Sequence, residues 1–251
     1  MIPKIIHYCW FGGGTQPVLE KKCLESWKKN LQGYVIKEWN EENFDINCNQ
    51  YVKEAYESKK YAFVSDYVRL QVLYNEGGIY FDTDLEVLKS IDQFLVHPAF
   101  FGFEDNSFVG SCVIGSESGN LWVKNLLGYY TNKKFIMDSG ELDITTNTTT
   151  ITKYMLEMGM VQNNEYQEFE NLVVIYPSEF FSPKSHGTGV LNLTENSFSI
   201  HHFAMSWQNK KSITFRLSAI KKKLIVIFGE KLISNIVIFL KLREIKEFLF
   251  K

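Results

Sequence analysis

Apolar and polar positions alternate along this chain in short blocks that change period again and again. Residues 4–10 form an apolar run that stops at Phe11-Gly12-Gly13-Gly14, which reads as a first strand breaking into a loop. Residues 17–30 place Val18, Leu19, Cys23, Leu24 and Trp27 on one helical face. Residues 34–39 read as a second strand, and residues 49–58 and 62–75 as helices. The second of these helices carries Phe63, Tyr67, Leu70, Val72, Leu73 and Tyr74 and is stopped by Gly77-Gly78. Residues 79–81 are the third strand. Strands separated by helices of this length predict βαβ units and a largely parallel sheet. In such sheets ligands gather at the carboxyl ends of strands, where Trp10, Asn40 and Asp82 all fall. Further on, residues 100–103, 112–114, 173–176 and 199–203 suggest strands, and 121–130 and 148–158 helices. With no repeat or linker composition, the expectation is one α/β domain over residues 1–212 and a helical appendage over 213–251.

Composition narrows the class. At 251 residues and 45% hydrophobic, the chain can bury a sizeable core. A net charge of −2 argues against a nucleic-acid partner, which calls for a basic surplus. Cys9, Cys23, Cys48 and Cys112 form no short-spaced pair and read as reduced thiols. The first residues offer too short an apolar stretch for a secretory leader, so the expected location is the cytoplasm. The charge is uneven, however. Residues 213–251 carry nine Lys or Arg against three Glu, whereas the remainder carries 18 basic and 26 acidic residues.

The candidate chemistry centres on Asp82-Thr83-Asp84, directly after Gly77-Gly78-Ile79-Tyr80-Phe81. Residues two apart on a strand share a face, so both carboxylates can address one cation. A hard divalent ion is commonly held by one or two carboxylates with substrate phosphates completing its shell. On the preceding helix, Asp66 and Arg69 are three apart and share a face. Arg69 would offer donors to phosphate or sugar, and Asp66 would accept from sugar hydroxyls.

The run Ser65-Asp66-x-x-Arg69-x-x-x-Leu73-Tyr74-x-x-Gly77-Gly78-Ile79-Tyr80-x-Asp82-x-Asp84 resembles the sugar-binding region of the DXD-motif glycosyltransferases of family 32. That group includes capsular polysaccharide enzymes and is related to the glucosylating clostridial toxins. Ile2-Pro3-Lys4-Ile5-Ile6-His7-x-x-Trp10, Lys37-Glu38-Trp39-Asn40 and His201-His202-Phe203-x-x-Ser206-Trp207 are similar to its other blocks, in the same order. The resemblance implies a GT-A-like fold, with a Rossmann-like, mostly parallel sheet flanked by helices. It implies that Trp10 stacks on the nucleobase and that Asn40 sits near the nucleoside. Ser65, Asp66 and Arg69 would hold the donor sugar and its phosphates, with Tyr80 near the ribose or metal. Asp82 and Asp84 would bind Mn²⁺ or Mg²⁺, with His202 (or its neighbour His201) as third ligand. Ser206 and Trp207 would touch the β-phosphate. Relatives place Thr-Gly-Pro where this chain has Thr145-Thr146-Asn147-Thr148, and an Asn where it has Gly110-Ser111, so the acceptor side departs from the pattern.

The implied activity is metal-dependent, retaining transfer of a hexose from a nucleotide sugar, with a UDP-sugar favoured. The acceptor would be a growing bacterial surface polysaccharide, an oligosaccharide or lipid-linked. A toxin-like protein glycosylation and a non-catalytic glycan-binding module are the alternatives. In residues 213–251, Lys221-Lys222-Lys223 precedes an apolar stretch interrupted at Gly229-Glu230-Lys231. It falls short of a spanning helix but suits peripheral association with the inner face of the cell membrane.

Overall fold

A computed structural model of the chain describes residues 1–204, 213–229, 231–233 and 235. They divide into two compact units: Met1–Pro183 with Leu193–Trp207, and Lys184–Asn192 with Gln208–Lys251.

The first unit is built on a seven-stranded sheet in the order β2-β1-β3-β6-β5-β8-β7. Its strands are β1 (Ile5–Cys9), β2 (Val35–Trp39), β3 (Gly78–Phe81), β5 (Ala99–Phe103), β6 (Val109–Ser116), β7 (Gln167–Phe169) and β8 (Val173–Tyr176). β1 pairs in parallel with β2 and β3, and β5 with β8; β6 and β7 run against their neighbours. Five strands therefore point one way, and the α/β, mostly parallel expectation holds.

Helices cover both faces. α2 (Gln50–Glu57), α3 (Tyr61–Glu76), α4 (Leu121–Gly128) and α5 (Asn147–Glu157) contribute to one core with Tyr80, Phe101 and Phe103. Trp27 of α1 (Val18–Asn30) and Phe181 of α6 (Ser178–Phe181) join a second core with Ile6, Tyr8, Ile79, Phe81 and Phe100. Alternate residues of β3 thus enter opposite cores, which is why the strand reads as an unbroken apolar run.

Two local devices set the site. The first is Gly77-Gly78, which ends α3 and starts β3 with no intervening loop. Both have positive φ, 67° and 110°. A Cβ on Gly77 would lie 2.7 Å from the Ser118 backbone nitrogen, and one on Gly78 2.7 Å from the Ile5 carbonyl oxygen. Buried His7 secures the same corner. Its Nδ1 accepts from the Trp39 indole at 3.0 Å, so its Nε2 donates to the Gly77 carbonyl at 2.8 Å. Burial lowers its pKa, in keeping with a neutral ring.

The second device is a two-stranded antiparallel sheet of β4 (Leu85–Val87) and β9 (Ser199–His201). Its far edge is closed by α1 side chains. The Trp27 indole donates to the Leu85 carbonyl at 2.6 Å and Asn30 to the Val87 carbonyl at 2.8 Å, while the Val87 N–H donates to Ser26 Oγ at 2.9 Å. β4, β7 and α6 are the elements that the hydrophobic pattern does not predict; β9 was expected and ends at His201.

In the second unit, Lys184 and Leu191 form an antiparallel bridge, and α7 spans Ile213–Phe228. No described helix is long and apolar enough to cross a membrane.

Candidate active site

Asp82 and Asp84 lie in a turn rather than on a strand. β3 ends at Phe81, the Asp82 N–H continues the ladder to the Cys112 carbonyl at 2.9 Å, and the Leu85 N–H closes the turn on the Asp82 carbonyl at 3.0 Å. Strand alternation is therefore not what brings the carboxylates together; turn closure between β3 and β4 is.

β9 supplies the third group. The β4–β9 register sets His201 opposite Leu85, immediately beside Asp84. His201 Nε2 lies 3.4 Å from Asp84 Oδ1 and 3.9 Å from Asp82 Oδ2. Asp82, Asp84 and His201 offer ligand atoms all within 4.8 Å of one another, the one such group among the described residues. Two carboxylates and an imidazole are a donor set that Mn²⁺ accepts readily and Mg²⁺ accepts in part. His202, the expected ligand, is placed otherwise: its Nε2 is 2.9 Å from Glu86 Oε2, and its N–H donates to the Asp84 carbonyl at 3.1 Å. Adjacent residues leave a strand on opposite faces, and here the inner one is His201.

Asp84 is 8% exposed. Burial pushes its carboxyl up, but the His201 imidazole and the Ala204 N–H, which donates to Oδ2 at 2.6 Å, hold it down to about 2. Burial likewise opposes charge on His201, and the adjacent Cys112 and Asp84 outweigh it to raise the imidazole well above its usual value.

Behind Asp82 stands an ion network. Arg69 Nη1 lies 3.2 Å from Asp82 Oδ1, and Nη2 lies 3.0 Å from Asp66 Oδ1. Nη1 also donates to the Ser111 carbonyl at 2.7 Å and Nε to the Ser65 carbonyl at 3.2 Å. The guanidinium sits 4.4 Å over the Tyr80 ring. In this arrangement Arg69, 4% exposed, turns its donors to protein oxygens rather than outward to a phosphate.

Asp66 in turn accepts the Asn147 N–H at the start of α5 at 3.1 Å. The Asn147 amide donates to the Asp66 carbonyl at 2.8 Å and accepts from Tyr130 OH at 2.9 Å. Burial raises the Asp66 carboxyl to about 6, with Arg69 pulling against it.

The other expected residues are placed as follows. Trp10 and Asn40 sit just past β1 and β2, at the same sheet edge as Asp82. The Trp10 indole donates to the Gly14 carbonyl at 2.5 Å, and Asn40 is engaged in its own turn with Glu38 and Glu42. Ser65 Oγ donates back to the Tyr61 carbonyl at 3.0 Å. Tyr80 is buried under Arg69. Ser206 and Trp207 lie outside the described residues.

Sequence reasoning missed Asn147, Tyr130 and the Ser111 carbonyl. Thr146 accepting from the Thr149 N–H as the cap of α5 is the signal that could have placed Asn147 at a helix start. A backbone carbonyl leaves no trace in residue identity. Glu104, just past β5, was also missed; burial raises its carboxyl, and it lies within electrostatic reach of His201 and Asp82.

Residues 17–101 match the family model described as glycosyltransferase sugar-binding region containing DXD motif. That stretch holds Asn40, Ser65, Asp66, Arg69, Tyr80, Asp82 and Asp84. No curated protein matches the chain. Among solved structures, the chain is similar to the PaToxG glycosyltransferase, at 18% identity over 62% of this chain and 70% of that one, with a TM-score of 0.45. It is also similar to a glycosyltransferase involved in the glycosylation of the major capsid of PBCV-1, at 11% identity over 88% of this chain and 98% of that one, with the same TM-score. Likeness at this level carries no weight here; what is matched is a glycosyltransferase sugar-binding region over residues 17–101, and the Asp82-Thr83-Asp84 turn inside it is its DXD motif.

Proposed function

We propose that this protein is a metal-dependent, retaining hexosyltransferase of the family 32 type, using a UDP-sugar and extending a bacterial surface polysaccharide on an oligosaccharide or lipid-linked acceptor. The observation that carries this reading is the convergence of Asp82, Asp84 and His201 at the end of β3. With His201 neutral, Asp66, Asp82, Asp84 and Arg69 together carry a charge of −2, which one divalent cation balances.

Asp82, Asp84 and His201 would hold the Mn²⁺ or Mg²⁺. When bound, the ion supplies electrostatic stabilisation of the departing diphosphate. Arg69 fixes Asp82 from behind, so that one carboxylate oxygen stays aimed at the cation position. Trp10 and Asn40, at the same sheet edge, are the candidates to border the nucleoside. In the reaction the bond from the anomeric carbon to the diphosphate oxygen breaks and UDP leaves. The acceptor hydroxyl attacks the same face, and its proton passes to the leaving phosphate oxygen. The sugar is oxocarbenium-like at the transition state, and nearby carboxylates stabilise it.

The test is UDP release from a panel of UDP-hexoses and UDP-N-acetylhexosamines, with Mn²⁺ and with chelator. Release with at least one donor that chelator abolishes supports the reading. Donor-dependent thermal stabilisation without turnover of any donor, even with oligosaccharide acceptors present, would instead make the chain a binding module. Trapping a glycosyl-enzyme adduct by mass spectrometry would sink the same-face attack.

A further inference from the structure

The second unit carries an exposed apolar surface on α7. α7 has 16 residues. At 3.6 residues per turn, Leu217, Ile220, Leu224, Ile227 and Phe228 fall within an arc of about 100°. All five are exposed: 57%, 53%, 37%, 69% and 56%. Ile225, which falls outside this arc, is buried at 3%. The helix therefore has one inward side and, apart from it, an apolar stripe facing solvent.

Cations border that stripe on both sides. Lys221 flanks it next to Phe228, while Arg216 and Lys223 flank it next to Ile227; all three are exposed. Residues 213–229 contain four Lys or Arg and no Asp or Glu. An apolar stripe alone would suit many partners. Bordered by cations and free of acids, it matches a surface that is apolar in depth and anionic at its face, with long Lys and Arg stems reaching outward from the stripe.

At 1.5 Å per residue the helix is about 24 Å long, so it is suited to lying in an interface rather than crossing it. We propose that α7 docks flat on an anionic lipid bilayer, burying Leu217, Ile220, Leu224, Ile227 and Phe228 and setting Arg216, Lys221 and Lys223 at the headgroup phosphates.

The experiment is flotation of the full chain with vesicles of phosphatidylcholine alone or of phosphatidylcholine with phosphatidylglycerol. Binding only to the anionic vesicles, weakening about tenfold or more as salt is raised, is the expected result. The doubly substituted Ile220→Asp, Ile227→Asp chain should lose flotation, and Lys221→Ser with Lys223→Ser should weaken it. Both should keep the parent's circular dichroism and its UDP release in solution. Absence of flotation at low salt, or undiminished flotation of the double Asp variant, overturns the proposal. So does a vesicle-independent dimer, seen by light scattering, that the double Asp variant splits, because the stripe would then face a second copy of the chain. Flotation, circular dichroism and light scattering depend neither on which sugar is transferred nor on whether one is.

Discussion

The two oxygens of Asp82 face opposite kinds of surroundings. Oδ1 points into a finished network, where Arg69 is met by Asp66, Asp82 and the carbonyls of Ser65 and Ser111, and Asp66 by Asn147. Oδ2 points to a convergence of candidate ligand atoms, with Asp84 and the His201 imidazole gathered on one spot. The inner side has its charges matched within the protein. The outer side has an excess of negative charge that a cation would balance. Substitutions on the inner side should therefore read out first in stability, and those on the outer side in metal affinity and turnover.

The largest effect should come from the inner side. Arg69→Met leaves Asp66 and Asp82 without their shared cation, and breaking a buried pair in this way costs about 3–5 kcal/mol. Urea denaturation should show that loss whether or not Mn²⁺ is present; a stable Arg69→Met protein would erase the distinction. On the outer side, Asp84→Asn should reduce UDP release about 10²–10³-fold while changing the folded spectrum little.

The next prediction separates the two histidines. His201→Ala should weaken Mn²⁺ binding about 10–100-fold by calorimetry, whereas His202→Ala, whose ring faces Glu86, should stay near the parent value. The pH dependence has a definite sign. A metal ligand imidazole must be neutral, and His201 is held well above its ordinary value. Mn²⁺ affinity should therefore fall by about tenfold per unit as pH drops below that raised value, with proton release on binding. Without metal, the Asp84–His201 pair contributes stability above the unfolded carboxylate value. That contribution is lost as pH falls toward about 2, and again as pH rises through the imidazole's raised value.

The smallest effect should be Asn147→Ala, at about 1–3 kcal/mol of stability, from leaving the Tyr130 hydroxyl without its acceptor and the Asp66 carbonyl without the amide's added donation. If Asn147 acts through Asp66 and Arg69 on Asp82, kcat should fall more than KM rises, and Asn147→Asp should not restore the amide's donation.

Legibility in the sequence followed the range of the contacts. Asp66, Arg69, Gly77-Gly78, Asp82 and Asp84 lie within 19 positions, on one helix, one tight corner and one strand end, so local pattern sufficed to group them. The period of α3 put Asp66 and Arg69 together, and their 3.0 Å contact agrees. What local pattern could not supply was orientation set from far away. β4 is three residues long, and its edge is closed by Ser26, Trp27 and Asn30 of α1, so no alternation announces it. Without β4 there is no register for β9, and His201 cannot be told from His202. Arg69 has the chemistry to donate to phosphate or sugar, and residue identity alone does not show that Nη1 and Nε meet the Ser111 and Ser65 carbonyls.

The β4–β9 pairing has a consequence for how the protein is made. It joins residue 85 to residue 201, so the grouping of Asp82, Asp84 and His201 is the product of a very long loop closure rather than of the local turn. During synthesis, the matched region with both aspartates emerges long before its histidine does. A growing chain therefore carries a half-formed site that gains its third ligand only when β9 docks. Metal capture by the three groups would, in that sense, be a late event that reports completed folding of the first unit.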